Sequence, residues 1–181
     1  NYINKLSNKN IGLVVNQSSL INNIHLVDTL MALGVKINYI FTPEHGFSGN
    51  FNAGEYVDNS SYNGISTISL YGENKEIQDF YLNEIDVILF DLQDVGVRFY
   101  TYISTLHYVM EACAKNNTHL IVLDRPNPHV NYVDGPVLEN NFVSFVGMHK
   151  VPVVYGMTIG EYSLMINGER WLKDDLFCSL E

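Results

Sequence analysis

The stretch IDVILFD, Ile85 to Asp91, is an apolar run rich in β-branched residues that stops on an acid. A strand with one wet face alternates apolar and polar residues, whereas a strand covered on both faces reads as a continuous apolar run, as here. The runs IGLVV (Ile11–Val15), VKINYIF (Val35–Phe41), STISLYG (Ser66–Gly72) and HLIVLD (His119–Asp124) extend the same theme. Helical spacing fills the intervals between them. Ile24, Val27 and Leu30/Met31 predict a helix stopped by Gly34, and KEIQDFYL predicts a short one. Phe99, Ile103, Leu106, Met110 and Cys113 predict a long amphipathic helix. In TIGEYSLMING, Thr158 and Glu161 have the spacing of a capping box. Strand and helix thus alternate, which predicts an α/β fold with a mainly parallel sheet flanked by helices in three layers.

The bulk numbers agree with one globular domain: 181 residues, 46% hydrophobic and 17% charged. Twenty acids against ten Lys plus Arg give a net charge of -10, which argues against a phosphate-tracking nucleic-acid binder. No apolar run reaches the roughly 18 to 20 residues that span a bilayer, and the N-terminus does not read as a signal peptide. Cys113 and Cys178 lack zinc or redox spacing, and Cys113, on a helical stripe, reads as a buried thiol. Long loops are expected over Thr42–Ile65 and from Asn127 to about Lys150, and such loops are functional suspects.

In an open α/β sheet, ligands sit outside the carboxyl ends of the strands. Those ends carry Asn16-Gln17, Glu44-His45, Tyr71, Asp91-Gln93-Asp94 and Asp124-Arg125-Asn127. A parallel sheet brings them to one edge. Each has two readings. Glu44 caps a turn or handles a proton; His45 is a hydrogen-bonding neighbour rather than a metal ligand. Asp91 and Asp124 cap the following loops or belong to a site. Gln93 and Asn127 suit sugar hydroxyls or loop backbone. Arg98 pairs with a strand-end acid or an anionic ligand, while Tyr100 and Tyr102 offer hydroxyls or a stacking face.

Absent motifs narrow the chemistry. No GxGxxG follows the first strand, and there is no GxxxxGK[ST] or GxSxG, so no cofactor is expected, nor a metal. Carboxylates, amides and tyrosines on one rim suit glycoside hydrolysis, or a module that binds sugar without cleaving it. Nucleotide binding or phosphoryl transfer is disfavoured by the missing phosphate loops.

The motifs GLVVNQSS, FTPEHGFSG…AGEYV, SLYG, DVILFDLQDVGVRFYTYISTL, VLDRPNP, DGPVLE, SFVG and VVYGMTIGEY together resemble the exo-acting β-N-acetylmuramidase family (NamZ-like, formerly a domain of unknown function). The resemblance runs from about Ile11 to Asn167. It implies a Rossmann-like catalytic domain over residues 1–170, with 171–181 beginning a linker or a C-terminal domain not in this chain. It implies release of terminal non-reducing N-acetylmuramic acid from peptidoglycan fragments, and a periplasmic or secreted setting. Glu44 in PEHG matches the proposed catalytic glutamate and becomes the general acid. Asp91, Asp94 and Asp124 are candidates for the second role, as is the substrate's own 2-acetamido group. Arg98 or Arg125 would meet the lactyl carboxylate. Ser48 stands where relatives usually carry arginine, and Val130 and Asn131 stand where they tend to have paired glycines.

Overall fold

The computed structural model describes residues 3–50, 52, 60–72 and 74–181. A short helix α1 (Ile3–Leu6) leads into β1 (Asn10–Val15), buried from Ile11 onward. The next segment departs from expectation. Ile24 does not begin a helix; it lies exposed in a two-stranded ribbon, β2 (Leu20–Ile21) against β3 (Ile24–His25). Asn22 and Asn23 between them have φ of 50° and 65°, which a two-residue primed turn requires and asparagine tolerates. Helix α2 (Leu26–Ala32) starts only then, with His25 Nδ1 accepting the Val27 N–H. Gly34, at φ 75°, follows its end as expected.

Next come β4 (Lys36–Thr42), β5 (Ser60–Tyr62) and β6 (Ile65–Ser69). The expected loop over 42–65 therefore ends in a strand. β5 pairs antiparallel with β6 across Asn63-Gly64, whose φ angles of 49° and 81° again make a primed turn. Residues 53–57, the AGEYV of the motif set, lie outside the described residues. The chain continues through α3 (Asp79–Leu82), β7 (Val87–Asp91), α4 (Tyr102–Asn116), β8 (His119–Val122) and α5 (Ile159–Gly168). Because α4 starts at Tyr102, Phe99 is not on its buried stripe and is 58% exposed. The expected capping box is present on α5: Thr158 Oγ1 accepts the Glu161 N–H, and Glu161 accepts the Thr158 N–H.

The sheet runs β5-β6-β4-β1-β7-β8. Every pairing is parallel except β5 with β6. The chain thus winds outward from β1 to one side, returns, and winds outward to the other. Parallel pairing places the carboxyl ends of β6, β4, β1, β7 and β8 on one edge. Leu6, Leu26, Val27 and Leu30 cover one face over Ile11, Leu13, Ile40 and Leu89. Ile103, Leu106, Met110 and Ile166 cover the other over Val14, Phe41, Ile88 and Phe90. This alternation of neighbouring residues between two cores is why the strands read as continuously apolar.

Residues 171–181 lie against the same domain. Leu120 N donates to Ser179 O at 2.8 Å and Glu181 N to Leu120 O at 2.9 Å, while Leu172 and Cys178 are buried. Cys113 and Cys178 are both free thiols in this core.

Candidate active site

Pro43, which cannot donate to the ladder, follows the last residue of β4. The chain then turns, with His45 and Gly46 both at φ 71° and Gly46 N donating to Pro43 O at 3.1 Å. Glu44 is carried half-buried on this turn. Its Oε2 accepts the Thr101 hydroxyl at 3.0 Å. Thr101 stands at the N-cap position of α4 but makes no side-chain cap bond to the helix; its hydroxyl goes to Glu44 instead.

Glu44 and His45 open onto a cleft of about 330 Å3 lined also by Tyr71, Phe99, Tyr100 and Phe145. Small-molecule sites occupy roughly 300–1,000 Å3, so the cleft has room for about one sugar ring. Phe145 arrives from the long loop before α5 and is tethered by Ser104 Oγ donating to its carbonyl at 2.7 Å. Its ring centre lies 6.3 Å from that of Tyr71 and 6.2 Å from that of Tyr108. Tyr102 forms part of the cleft wall, but only 3% of it is exposed, and its hydroxyl accepts from Asn16 Nδ2 at 2.7 Å. Burial, then the neighbouring Tyr100, raises its pKa above the ordinary tyrosine value. Asn16 Oδ1 in turn accepts from Ser18 N at 2.9 Å and Ser18 Oγ at 2.6 Å.

The β7–β8 end of the rim is built differently. Asp91, 1% exposed, receives Arg125 on both oxygens, Nε on Oδ1 at 2.5 Å and Nη2 on Oδ2 at 2.8 Å. Asp124 accepts from Arg125 N at 3.0 Å, Gly160 N at 2.8 Å and Thr158 Oγ1 at 2.8 Å. It thereby ties β8 to the start of α5, an anion at a helix N-terminus. A Cβ on Gly160 would fall 2.7 Å from Asp124 Cγ, so only glycine permits this approach. Asp94 accepts from Gly96 N at 2.7 Å and from the Tyr155 hydroxyl, both on Oδ2. Its Oδ1 is buried without a hydrogen-bond partner. Burial raises the Asp94 pKa, against the lowering effect of those hydrogen bonds.

The remaining expected site residues make bonds to backbone. Gln93 Nε2 donates to Pro126 O at 2.9 Å and Asp94 O at 2.8 Å. Asn127 Nδ2 donates to Met157 O at 2.8 Å while its Oδ1 accepts His129 N at 2.7 Å. Arg98 Nη1 donates to Val151 O at 2.6 Å and Pro136 O at 2.8 Å. Thus Glu44, His45 and Tyr100 meet at one cleft, Asn16 and Tyr102 support its wall, and the other expected residues knit the loops together. Sequence reasoning missed Thr101 and Phe145. Both stand inside quoted motifs, FYTYIST and SFVG, but nothing in their spacing distinguishes them.

A larger hollow of about 480 Å3 lies at the opposite edge, beside α1 and the start of β4. Among the described residues its lining includes Lys9 and Lys36 but no carboxyl group of the kind glycoside hydrolysis uses. Among the described residues, no group of three or more His, Cys, Asp or Glu side chains could hold a metal ion, and no helix is long and apolar enough to cross a membrane.

The family described as "Exo-beta-N-acetylmuramidase NamZ, N-terminal" matches residues 11–181. This chain belongs to that family. The chain is 41% identical to the peptidoglycan beta-N-acetylmuramidase NamZ of Bacillus subtilis (strain 168), over 97% of this chain and 44% of that protein. Two crystal structures of DUF1343 family proteins from Bacteroides fragilis NCTC 9343 superpose with TM-scores of 0.88 and 0.88, at 39% and 40% identity. They are covered over 48% and 45% of their chains, against 99% and 98% of this one. The chain therefore spans less than half the length of these relatives.

Proposed function

We propose that this chain provides the proton-donating side of a peptidoglycan muramidase site, with Glu44 as general acid and a terminal N-acetylmuramic acid as substrate. The observation that carries the reading is the pairing of Glu44 with Thr101 at the mouth of an aromatic-walled cleft on the carboxyl edge of the sheet. As the glycosidic C–O bond breaks, charge gathers on the leaving oxygen and a proton from Glu44 neutralises it. The Thr101 hydroxyl fixes one carboxyl oxygen and so orients the group. Tyr71, Tyr100 and Phe145 offer faces to the sugar ring.

The second role goes to the substrate's own 2-acetamido oxygen, which attacks the anomeric carbon as the leaving group departs. Asp91 and Asp124 are poorly disposed to attack. The first is neutralised by a bidentate guanidinium, and the second accepts three hydrogen bonds. The muramidase named among the relatives supports the substrate class.

A chromogenic N-acetylmuramyl glycoside tests the reading. Glu44→Gln lowers turnover by at least about 100-fold while the sugar still binds; unchanged turnover eliminates Glu44 as the acid. Because the chain covers 44% of its relative, a second reading has support. In it the same cleft holds muropeptide without cleaving it, and the wild-type chain binds the sugar but shows no turnover.

A further inference from the structure

The cleft of about 330 Å3 holds about one sugar ring, whereas a glycosidic bond joins two. In peptidoglycan N-acetylmuramic acid alternates with N-acetylglucosamine. When the terminal muramyl sugar fills the cleft, the departing N-acetylglucosamine therefore lies over the rim. Glu44 protonates the oxygen between the two rings, which places the second ring on the rim beside that acid. Such rings carry their hydroxyls equatorially, and the axial C–H bonds leave apolar faces. An aromatic ring open to the outside suits such a face.

The rim beside Glu44 carries one. Phe99 lines the cleft and is 58% exposed; of the other lining residues only Val146 is comparably open, at 55%. An exposed phenylalanine is by itself ordinary on a protein surface. This one is set apart by its place and its neighbours. It precedes Thr101 by two residues, which keeps their Cα atoms within about 7 Å, and Thr101 donates its hydroxyl to Glu44. The rings of Tyr71, Tyr100, Tyr102 and Phe145 each meet another aromatic ring. Phe99 makes no ring contact among the described residues. Its backbone is held on both sides, Arg98 N donating to Val153 O at 2.7 Å and Tyr100 N to Val97 O at 3.0 Å. The open ring thus stands on fixed backbone, which lowers the ordering cost of binding.

We propose that Phe99 is the platform for the leaving sugar: its ring stacks on the apolar face of the departing N-acetylglucosamine and so sets a preference for a sugar on that side of the bond. The inference rests on the muramyl reading of the same cleft. Calorimetric titration in a Glu44→Gln background, where the glycosidic bond survives, tests it. The ligands are the methyl β-glycoside of N-acetylmuramic acid and the β-linked disaccharide of N-acetylmuramic acid on N-acetylglucosamine. With Phe99 in place the disaccharide binds about tenfold more tightly than the methyl glycoside. Phe99→Ala removes that advantage and leaves the methyl glycoside within about twofold, whereas Phe99→Trp keeps it. Because the ring is exposed, its loss shifts the thermal midpoint by less than about 2 °C, so the change is read on a folded chain. If Phe99→Ala weakens both ligands alike, or the disaccharide keeps its advantage or never has one, Phe99 is not the platform and the muramyl reading stands without it. If neither ligand binds, the muramyl reading falls, and this inference with it.

Discussion

Two ends of one sheet edge carry acids at the ends of parallel strands, yet they are built for opposite ends. At the β7–β8 end, Asp91 and Asp124 are engaged by a guanidinium, backbone N–H groups and a hydroxyl, and they join β7, β8 and α5. At the β4–β6 end, Glu44 stands on a turn at a cleft, oriented by the hydroxyl of Thr101. A strand-end acid is therefore not a site by position alone. What separates the two kinds is where the carboxyl stands: Asp91 and Asp124 lie within bonds that join neighbouring elements, whereas Glu44 lines a cleft. The β1–β7 crevice, where the winding reverses and ligands are expected, is stitched shut by Ser19 Oγ on Asp91 O and by Gln93 N on Ser18 Oγ. The open space lies beside it.

The sharpest way to break this contrast is Arg125→Ala. It leaves Asp91, whose side chain is 2% exposed, as a buried carboxylate without its partner. Unpairing such a group costs about 3–5 kcal/mol, read as a fall in the urea midpoint with the slope unchanged. Adding Asp91→Asn to Arg125→Met recovers much of the loss, because neither charge is then stranded. A cost of under 1 kcal/mol for Arg125→Ala is what an exposed pair gives, and it would erase the distinction between the two ends.

A second prediction concerns acid. Behind the cleft wall, His149 hydrogen-bonds His107 and the Tyr162 hydroxyl, each at 2.9 Å, and Trp171 stacks on it. Burial, then the charge of His107, pushes its pKa down to about 3 from 6.5. The unfolded chain binds a proton here from about pH 6.5 downward while the folded chain does not until about pH 3. Stability is therefore full above pH 6.5 and falls as pH drops, by about 2–3 kcal/mol between pH 7 and pH 4.5. Glu111, across His107, has its pKa lowered chiefly by the hydrogen bond from that histidine, so its contribution is lost only at lower pH still. Denaturant titrations at the two pH values check this: His149→Gln flattens the dependence, and an equal slope in the variant would place the acid sensitivity elsewhere.

The same contrast explains what was legible in the sequence. Unbroken apolar strands, helical spacing and the Thr158–Glu161 box reveal the parallel sheet because burial and capping leave local marks. The ribbon at Leu20–His25 and the strand Ser60–Tyr62 escaped because Ile24 also fits a helical stripe and β5 is three polar residues long. The signals were Asn22-Asn23 and Asn63-Gly64, pairs suited to primed turns. At the site, residue type placed the acids on one edge, but which acid is built into the frame and which faces a cleft is set by contacts far apart in sequence. Asp91 meets Arg125 34 positions on, and Glu44 meets Thr101 57 positions on; no local pattern encodes either meeting.

The smallest expected effect probes the Glu44 end directly. Thr101→Val keeps the shape of a buried side chain and removes only the hydroxyl that reaches Glu44. If that hydroxyl merely fills a helix start, stability alone responds; yet it makes no cap bond to α4. If it orients the acid for proton transfer, kcat on a muramyl glycoside falls about five- to tenfold, the worth of one ordinary hydrogen bond. KM is unchanged, because the loss is felt where the proton moves. Thr101→Ser, which keeps the oxygen, restores kcat. A matched rise in KM, or a serine variant no better than valine, would assign Thr101 to packing and leave Glu44 oriented by other means.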